Sequence, residues 1–310
     1  LNGIRAKNFF KKHYWQPYFY MTLKHTGTLI FIFNAFCLTV GALPVDKGFL
    51  YEAEKDGKVL WLYGTLPKAD KRAYPLPEKV YELFEAASAL VVEVNPSGLN
   101  RKQVSAVVKK YAVGSVELRA AVGEPLYAEF EELMESRRRG SASFFKKYRP
   151  WFTALILERF MAGKELNAAL GIDRHFLKQA AKEKKKIIQL EDFEEAMAIL
   201  AALPDTEECR LFEETLRMLK SDGDAMQLFY ESWLGGDIEG LNTSLKRRLQ
   251  TSGTLRERLL RERNVKLAGR IDRLASENHQ IFIILEAVSL VGSTGVPELL
   301  RRQGFTVKRI

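Results

Sequence analysis

Hydrolytic or redox chemistry needs a nucleophile, a base or a set of metal ligands, and this sequence offers few of each. It holds four histidines, His13, His25, His175 and His279, and two cysteines, Cys37 and Cys209. Imidazoles bind a transition metal when a helix or strand brings two of them to one face, but no two of these stand at ligand spacing. His175 falls in a helical pattern and His279 in a loop before a strand, so both read as structural histidines. Cys209 reads as a small, partly buried helix residue. Cys37 follows bulky Phe36, where a lipid-attachment cysteine follows Gly or Ala.

Carboxylates at the ends of apolar runs are the more informative groups. Glu93 interrupts Ala89–Val94, and Glu286 ends the run that starts at Ile281. A buried carboxylate requires a partner. Glu93, Asn95, Glu286 and Ser289 together would make an oxygen-only site for a hard cation. As a nucleophile Ser289 lacks both a G-x-S-x-G elbow and a nearby histidine, so it reads as a small filler. Neither G-x-x-x-x-G-K-[ST] nor G-x-G-x-x-G occurs, which removes the common nucleotide-binding classes.

The elements that must position these groups are legible from periodicity. Phe49–Glu54 and Val59–Tyr63 flank an Asp56-Gly57 turn, a hairpin signal. Pro77 suits a helix start, followed by Val80, Leu83, Phe84 and Ala87 at helical spacing. Ala89–Val94 is apolar enough for a strand covered on both faces. Residues 101 to about 182 read as helical, with a fresh start at Pro150-Trp151. Lys186–Leu190 reads as a short strand. Helices then run from Phe193 to about Glu277, broken at Leu203-Pro204, Asp222-Gly223, Gly235-Gly236 and Ser252-Gly253. A strand at Ile281–Leu285, a short helix at Val296–Arg302 and a strand at Phe305–Ile310 close the chain. Trp151, Phe152, Phe160 and Trp233 read as core.

The expected fold class is α+β, with two pseudo-symmetric β-containing halves (Val59–Val94 and Ile281–Ile310) and mixed-sheet strands at both chain ends around a largely helical middle. Residues 43–310 are expected to form one domain. Residues 1–42 read as a leader: a candidate upstream extension to Tyr20, since Met21 follows it, and then a signal peptide. Lys24 and His25 precede the apolar run Leu29–Val40, which ends at Gly41 and Ala42. That run is shorter than the roughly 20 apolar residues of a membrane span. The expected location is extracytoplasmic, secreted or periplasmic, with anchoring by an uncleaved N-terminal segment as the alternative.

The net charge of +9 overstates the basicity of the remainder, because residues 1–42 hold Arg5, Lys7, Lys11, Lys12 and Lys24 and no acid. The runs Arg137-Arg138-Arg139, Lys184-Lys185-Lys186 and Lys246-Arg247-Arg248 are interleaved with acids and read as solvated faces, so no nucleic-acid partner is expected.

Several stretches, in order, resemble the TraB/GumN family, which includes the Tiki proteases and PrgY-like proteins. They are Leu60–Pro67, Tyr74–Pro77, Leu90–Asn95, Gly171-Ile172-Asp173 with Lys186–Glu191, Gly236-Asp237, Arg261–Asn264, Leu290-Val291-Gly292 and Gly304–Val307. The resemblance implies the α+β fold and, in active relatives, a metal-dependent peptidase site built on two Gly-x-x-His motifs and a glutamate. Here the first motif ends in Pro67, and the second reads Glu286-Ala287-Val288-Ser289, with Ser289 at the histidine position. The family's Glu-x-Asp becomes Glu93-Val94-Asn95. Family position makes Arg263 the expected partner of Glu93.

The expectation is therefore a catalytically inactive, exported relative that binds or regulates a peptide or protein partner. Its candidate inherited cleft comprises Glu93, Asn95, Arg263, Glu286, Ser289 and Pro67, with no cofactor. Two alternatives stand beside it. One is an active hydrolase holding a divalent metal such as Mn or Zn on carboxylates around Glu93 and Glu286; the other is a structural envelope protein.

Overall fold

Asp56 and Gly57 both take positive φ, 52° and 72°, as a tight hairpin turn demands. They join β1 (Phe49–Lys55) to β2 (Lys58–Thr65). The computed structural model describes residues 47–310 apart from 96, 97, 99, 137–140, 162–165, 222, 253 and 278–279. Side chains 159–161, 221, 223–226, 248–252 and 254–257 are likewise outside the description. Residues 1–42, which read as a leader in the sequence, together with His279, the Arg137–Arg139 run and the Phe160 and Arg248 side chains, fall among these undescribed parts.

Four further strands complete a mixed sheet: β3 (Ala89–Val92), β4 (Lys186–Gln189), β5 (Ile281–Glu286) and β6 (Thr306–Arg309). Their order across the sheet is β4-β3-β5-β2-β1-β6. β5 pairs in parallel with both β2 and β3, and β4 pairs in parallel with β3, while β1 runs antiparallel to β2 and β6. Strands from the two ends of the chain thus interleave at the centre, which is why β3 and β5 are buried almost throughout.

Each end contributes a strand-helix-strand unit. One runs from β2 through α1 (Glu78–Ala86) to β3, the other from β5 through α12 (Val296–Arg302) to β6. Pro297 sits in the first turn of α12, where a missing N–H costs nothing. Pro77 is the residue before α1 rather than its first helical position.

Between the two ends lie α2 (Arg101–Tyr111), α3 (Leu118–Val122), α4 (Glu124–Ser136), α5 (Pro150–Met161), α6 (Ile172–Lys182), α7 (Phe193–Ala201), α8 (Asp205–Ser221), α9 (Gly223–Leu234), α10 (Ile238–Ser252) and α11 (Thr254–Glu277). The helix breaks expected at Leu203-Pro204 and Gly235-Gly236 fall between successive helices, while Asp222 and Gly253 of the other two lie outside the described residues. The Asn100 side chain accepts from Gln103 N–H while the Gln103 side chain accepts from Asn100 N–H, a reciprocal cap that fixes the start of α2.

Apolar burial divides into two clusters. One wraps the sheet and includes Tyr63, Phe84, Phe176, Trp233 and Phe282. The other is helical and includes Phe130, Trp151, Phe152 and Phe212. Trp151 and Trp233 are fully buried. Trp233 also ties α9 to the sheet, since its Nε1–H donates to Gly64 O at 2.8 Å while its own carbonyl accepts from Gly48 N–H at 2.8 Å. None of the helices, among the described residues, is long and apolar enough to cross a membrane.

Candidate functional site

Parallel pairing sends β2, β3, β4 and β5 out of the sheet along one edge, so whatever follows each strand is delivered to the same place. Thr65 is in register with Glu286, and Val92 with Ile284 and Gln189. Glu93, Glu191 and Glu286 therefore stand at or just past adjacent strand ends. Leu190 N–H bonds Val92 O at 2.8 Å and Glu191 N–H bonds Glu93 O at 2.7 Å, which extends the β3–β4 ladder into this edge.

Arg263, projecting from α11, closes the cluster. Its Nη2 donates to Glu93 Oε2 at 2.6 Å and to Glu191 Oε2 at 2.8 Å, and its Nε donates to Glu191 Oε2 at 3.0 Å. The second oxygen of Glu93 is also engaged, accepting the Glu286 backbone N–H at 2.9 Å. One carboxylate thus joins β3, β5 and α11. The side chains of Glu93 and Glu191 are 11% and 4% exposed, against 33% for Arg263, so both acids lie beneath the guanidinium.

These surroundings set the charge balance. Burial pushes the Glu93 carboxyl up to about 7, and the nearby Glu286 and Asp173 push the same way against the opposing pull of Arg263. Burial also works against the charge on Arg263, but Glu93, Glu286 and Glu191 outweigh it and raise its pKa overall.

Asp173 enters from the first turn of α6, where a carboxylate complements the helix dipole. Thr65 Oγ1 lies 2.6 Å from Asp173 Oδ1 and 3.0 Å from Leu285 O, alternative acceptors for its single proton. Ile172 N–H bonds Leu66 O at 2.9 Å, seating the start of α6 on the chain leaving β2. A side chain at Gly171 would place its first carbon 2.3 Å from Pro67 O, so this approach requires glycine.

Of the six residues nominated from the sequence, Glu93, Arg263 and Glu286 meet directly. Ser289 follows β5 on a short 3-10 helix (Ala287–Leu290), is fully buried, and its Oγ has no hydrogen-bond partner among the described residues. Pro67 and Asn95 leave the same edge; Pro67 is exposed and Asn95 half-buried. Glu191 and Asp173 complete the cluster but were not among the six. Glu191 had a signal, for it ends a short strand as Glu93 does.

His175 and Cys209 lie elsewhere. The His175 ring packs against Tyr74, Tyr81 and Phe176 at centroid distances of 5.2, 5.8 and 5.3 Å. Cys209 Sγ donates to Ala121 O at 3.3 Å, and burial pushes its thiol pKa up. Among the described residues no group of three or more His, Cys, Asp and Glu side chains is placed to hold a metal ion.

Comparison with known proteins places this edge in a family. The model of the TraB/PrgY/gumN family matches residues 49–309. An uncharacterized protein of Escherichia coli (strain K12), YbaP, is 26% identical over 242 residues, covering 77% of this chain and 87% of that protein. YbaP of Shigella flexneri matches to the same extent. No solved structure gives a significant match. The family match takes in all six strands and every member of the Glu93–Arg263 cluster, and the chain belongs to the TraB/PrgY/gumN family.

Proposed function

We propose that this chain is an exported, extracytoplasmic member of its family, one domain over 43–310 behind a leader. It keeps the fold without metal-dependent peptidase chemistry and acts as a binding or regulatory module for a peptide or protein partner. The observation that carries this reading is the commitment of Glu93, whose two oxygens are taken by Arg263 and by the Glu286 N–H.

The residues present do not fit a transition metal. The resemblance would put imidazoles at Pro67 and Ser289, but a proline ring offers no side-chain lone pair and a neutral hydroxyl is a poor donor. The carboxylates that remain share a guanidinium, whose charge opposes any cation brought to the same oxygens. What the edge does offer is polar recognition: a one-third-exposed Arg263, a half-buried Glu286 and a half-buried Asn95, with Pro67 exposed.

The test is a hydrolysis assay on the purified full chain with unfolded protein and mixed peptides, in separate reactions with Mn²⁺, Co²⁺ and Zn²⁺. The expected result is no metal-dependent cleavage above a metal-free control. Cleavage abolished both by chelator and by Glu93→Ala would establish the carboxylate-based hydrolase instead.

A further inference from the structure

The helical part of the molecule carries a surface that the strand edge does not explain. Phe144 is 68% exposed and Val116 56% exposed, with Val113 also on the surface. Two chain segments, 112–118 and 141–149, bring them to one place. Val113 pairs with Tyr148 in an antiparallel bridge, Gly114 N–H donates to Lys147 O at 2.9 Å, and Leu118 N–H donates to Lys146 O at 2.8 Å. Residues paired across such a bridge put their side chains on one face, so Val113 stands beside Tyr148. Phe144 joins them from a 3-10 turn (Ala142–Phe145) capped by Ser141, its ring centre 6.1 Å from that of Tyr148. Phe145 anchors the same turn, buried with its ring centre 5.6 Å from that of Phe130. One phenyl ring thus goes into the core while its neighbour projects into water, and clustered apolar exposure of this kind marks an interaction surface.

The charge around these side chains has one sign. From 137 to 149 the sequence holds six Lys and Arg and no Asp or Glu. Of the described cations, Arg149 turns inward to the buried Glu208. Lys146 pairs with Glu117 at 2.9 Å, but both side chains are more than half exposed, so the pair is weak and open to exchange with another anion. Lys147 has no ion-pair partner among the described residues, and its Nζ lies 5.8 Å from the Tyr148 ring centre. Lys109 and Lys110 close α2 just ahead of Val113 in the chain, Lys110 being held by Glu194.

We propose that this surface docks on an anionic phospholipid bilayer, with Phe144 and Val116 entering the boundary between headgroups and acyl chains while Lys146 and Lys147 meet lipid phosphates. A projecting ring flanked by ammonium groups on long stems needs no complementary pocket, only an interface that is apolar on one side and anionic on the other. So few apolar side chains give a reversible contact, strengthened by charge. The surface uses none of the strand-edge residues, so the proposal stands apart from the reading given under Proposed function.

The experiment puts a reporter at the surface. Purified full chain carrying Phe144→Trp is mixed with phosphatidylcholine vesicles made with or without phosphatidylglycerol, and wild type supplies the background of the other tryptophans. The expected difference emission shifts to the blue and is quenched by brominated acyl chains only when phosphatidylglycerol is present. A Lys or Arg near an anionic surface strengthens binding about fivefold, so adding Lys146→Gln and Lys147→Gln should weaken the lipid titration by about five- to twenty-fivefold. A reporter that stays water-like, or responds equally to both vesicle types, overturns the proposal. Because the signal comes from position 144, vesicle binding through residues 1–42 does not imitate it. Self-association in sedimentation velocity that Phe144→Ser abolishes would assign the surface to a second copy of the chain and overturn it as well. All these substitutions fall on exposed side chains, urea midpoints check that the fold is intact, and Val116→Trp serves as the reporter if Phe144→Trp does not fold.

Discussion

Replacing Arg263 by Met removes the guanidinium and keeps most of the aliphatic stem, leaving Glu93 and Glu191 facing each other without a cation. Taking one partner from a buried ion pair costs about 3–5 kcal/mol, because the other charge stays behind unpaired. Arg263 is 33% exposed and partly screened by water, which moves the expectation to the lower end, about 2–3 kcal/mol. For a chain of this size that is a fall in Tm of about 5–10 °C. The stranded carboxylates can relieve the loss by protonation, so the deficit should be smaller at pH 6 than at pH 8. Scanning calorimetry of wild type and Arg263→Met at both pH values measures both quantities. A Tm within about 1 °C of wild type at pH 8, or a deficit larger at pH 6, would refute the reasoning.

Other perturbations reach the elements that hold this edge together. Gly171→Ala forces a carbon against Pro67 O, 2.3 Å away, and should cost about 1–3 kcal/mol in urea unfolding by displacing the start of α6 from β2. Trp233→Phe leaves the Gly64 carbonyl without its 2.8 Å donor, an expected loss of about 1–3 kcal/mol by the same assay. His175 has a buried Nε2 without a hydrogen-bond partner among the described residues, and burial, then Lys178, holds its pKa below 6.5. A histidine kept neutral by folding destabilises the fold as pH drops through its unfolded value of about 6.5. The stability of wild type relative to His175→Phe should therefore fall from pH 7 to pH 5.

The parts of this structure legible in the sequence are those set by local chemistry. Asp56-Gly57 specifies a turn whichever strands it joins, and the breaks at Leu203-Pro204 and Gly235-Gly236 end helices for the same reason. An acid inside Ala89–Val94 must find a partner, and family position pointed to Arg263, which is where the Glu93 carboxylate goes. Which other acids join that pair depends on strand order, and a single sequence does not encode order locally. β4 is short, with its four residues half-buried or exposed, and only its pairing with β3 brings Glu191 under the guanidinium. Asp173 lies in one of the stretches that resemble the family, but its placement beside Thr65 follows from the close approach of Gly171 to Pro67, which periodicity does not report. Pro77 shows the limit at helix ends, where the expected first helical residue is the cap itself.

The central claim is that the strand-edge carboxylates are held by Arg263 and leave no transition-metal site. Its most direct test is anomalous diffraction from crystals of the protein grown with Mn²⁺ or Zn²⁺ and collected at the metal edge. The account predicts no anomalous peak within bonding distance of Glu93, Glu191 or Glu286, with Arg263 still paired to Glu93. A fully occupied peak on those oxygens, with Arg263 swung away, would contradict it.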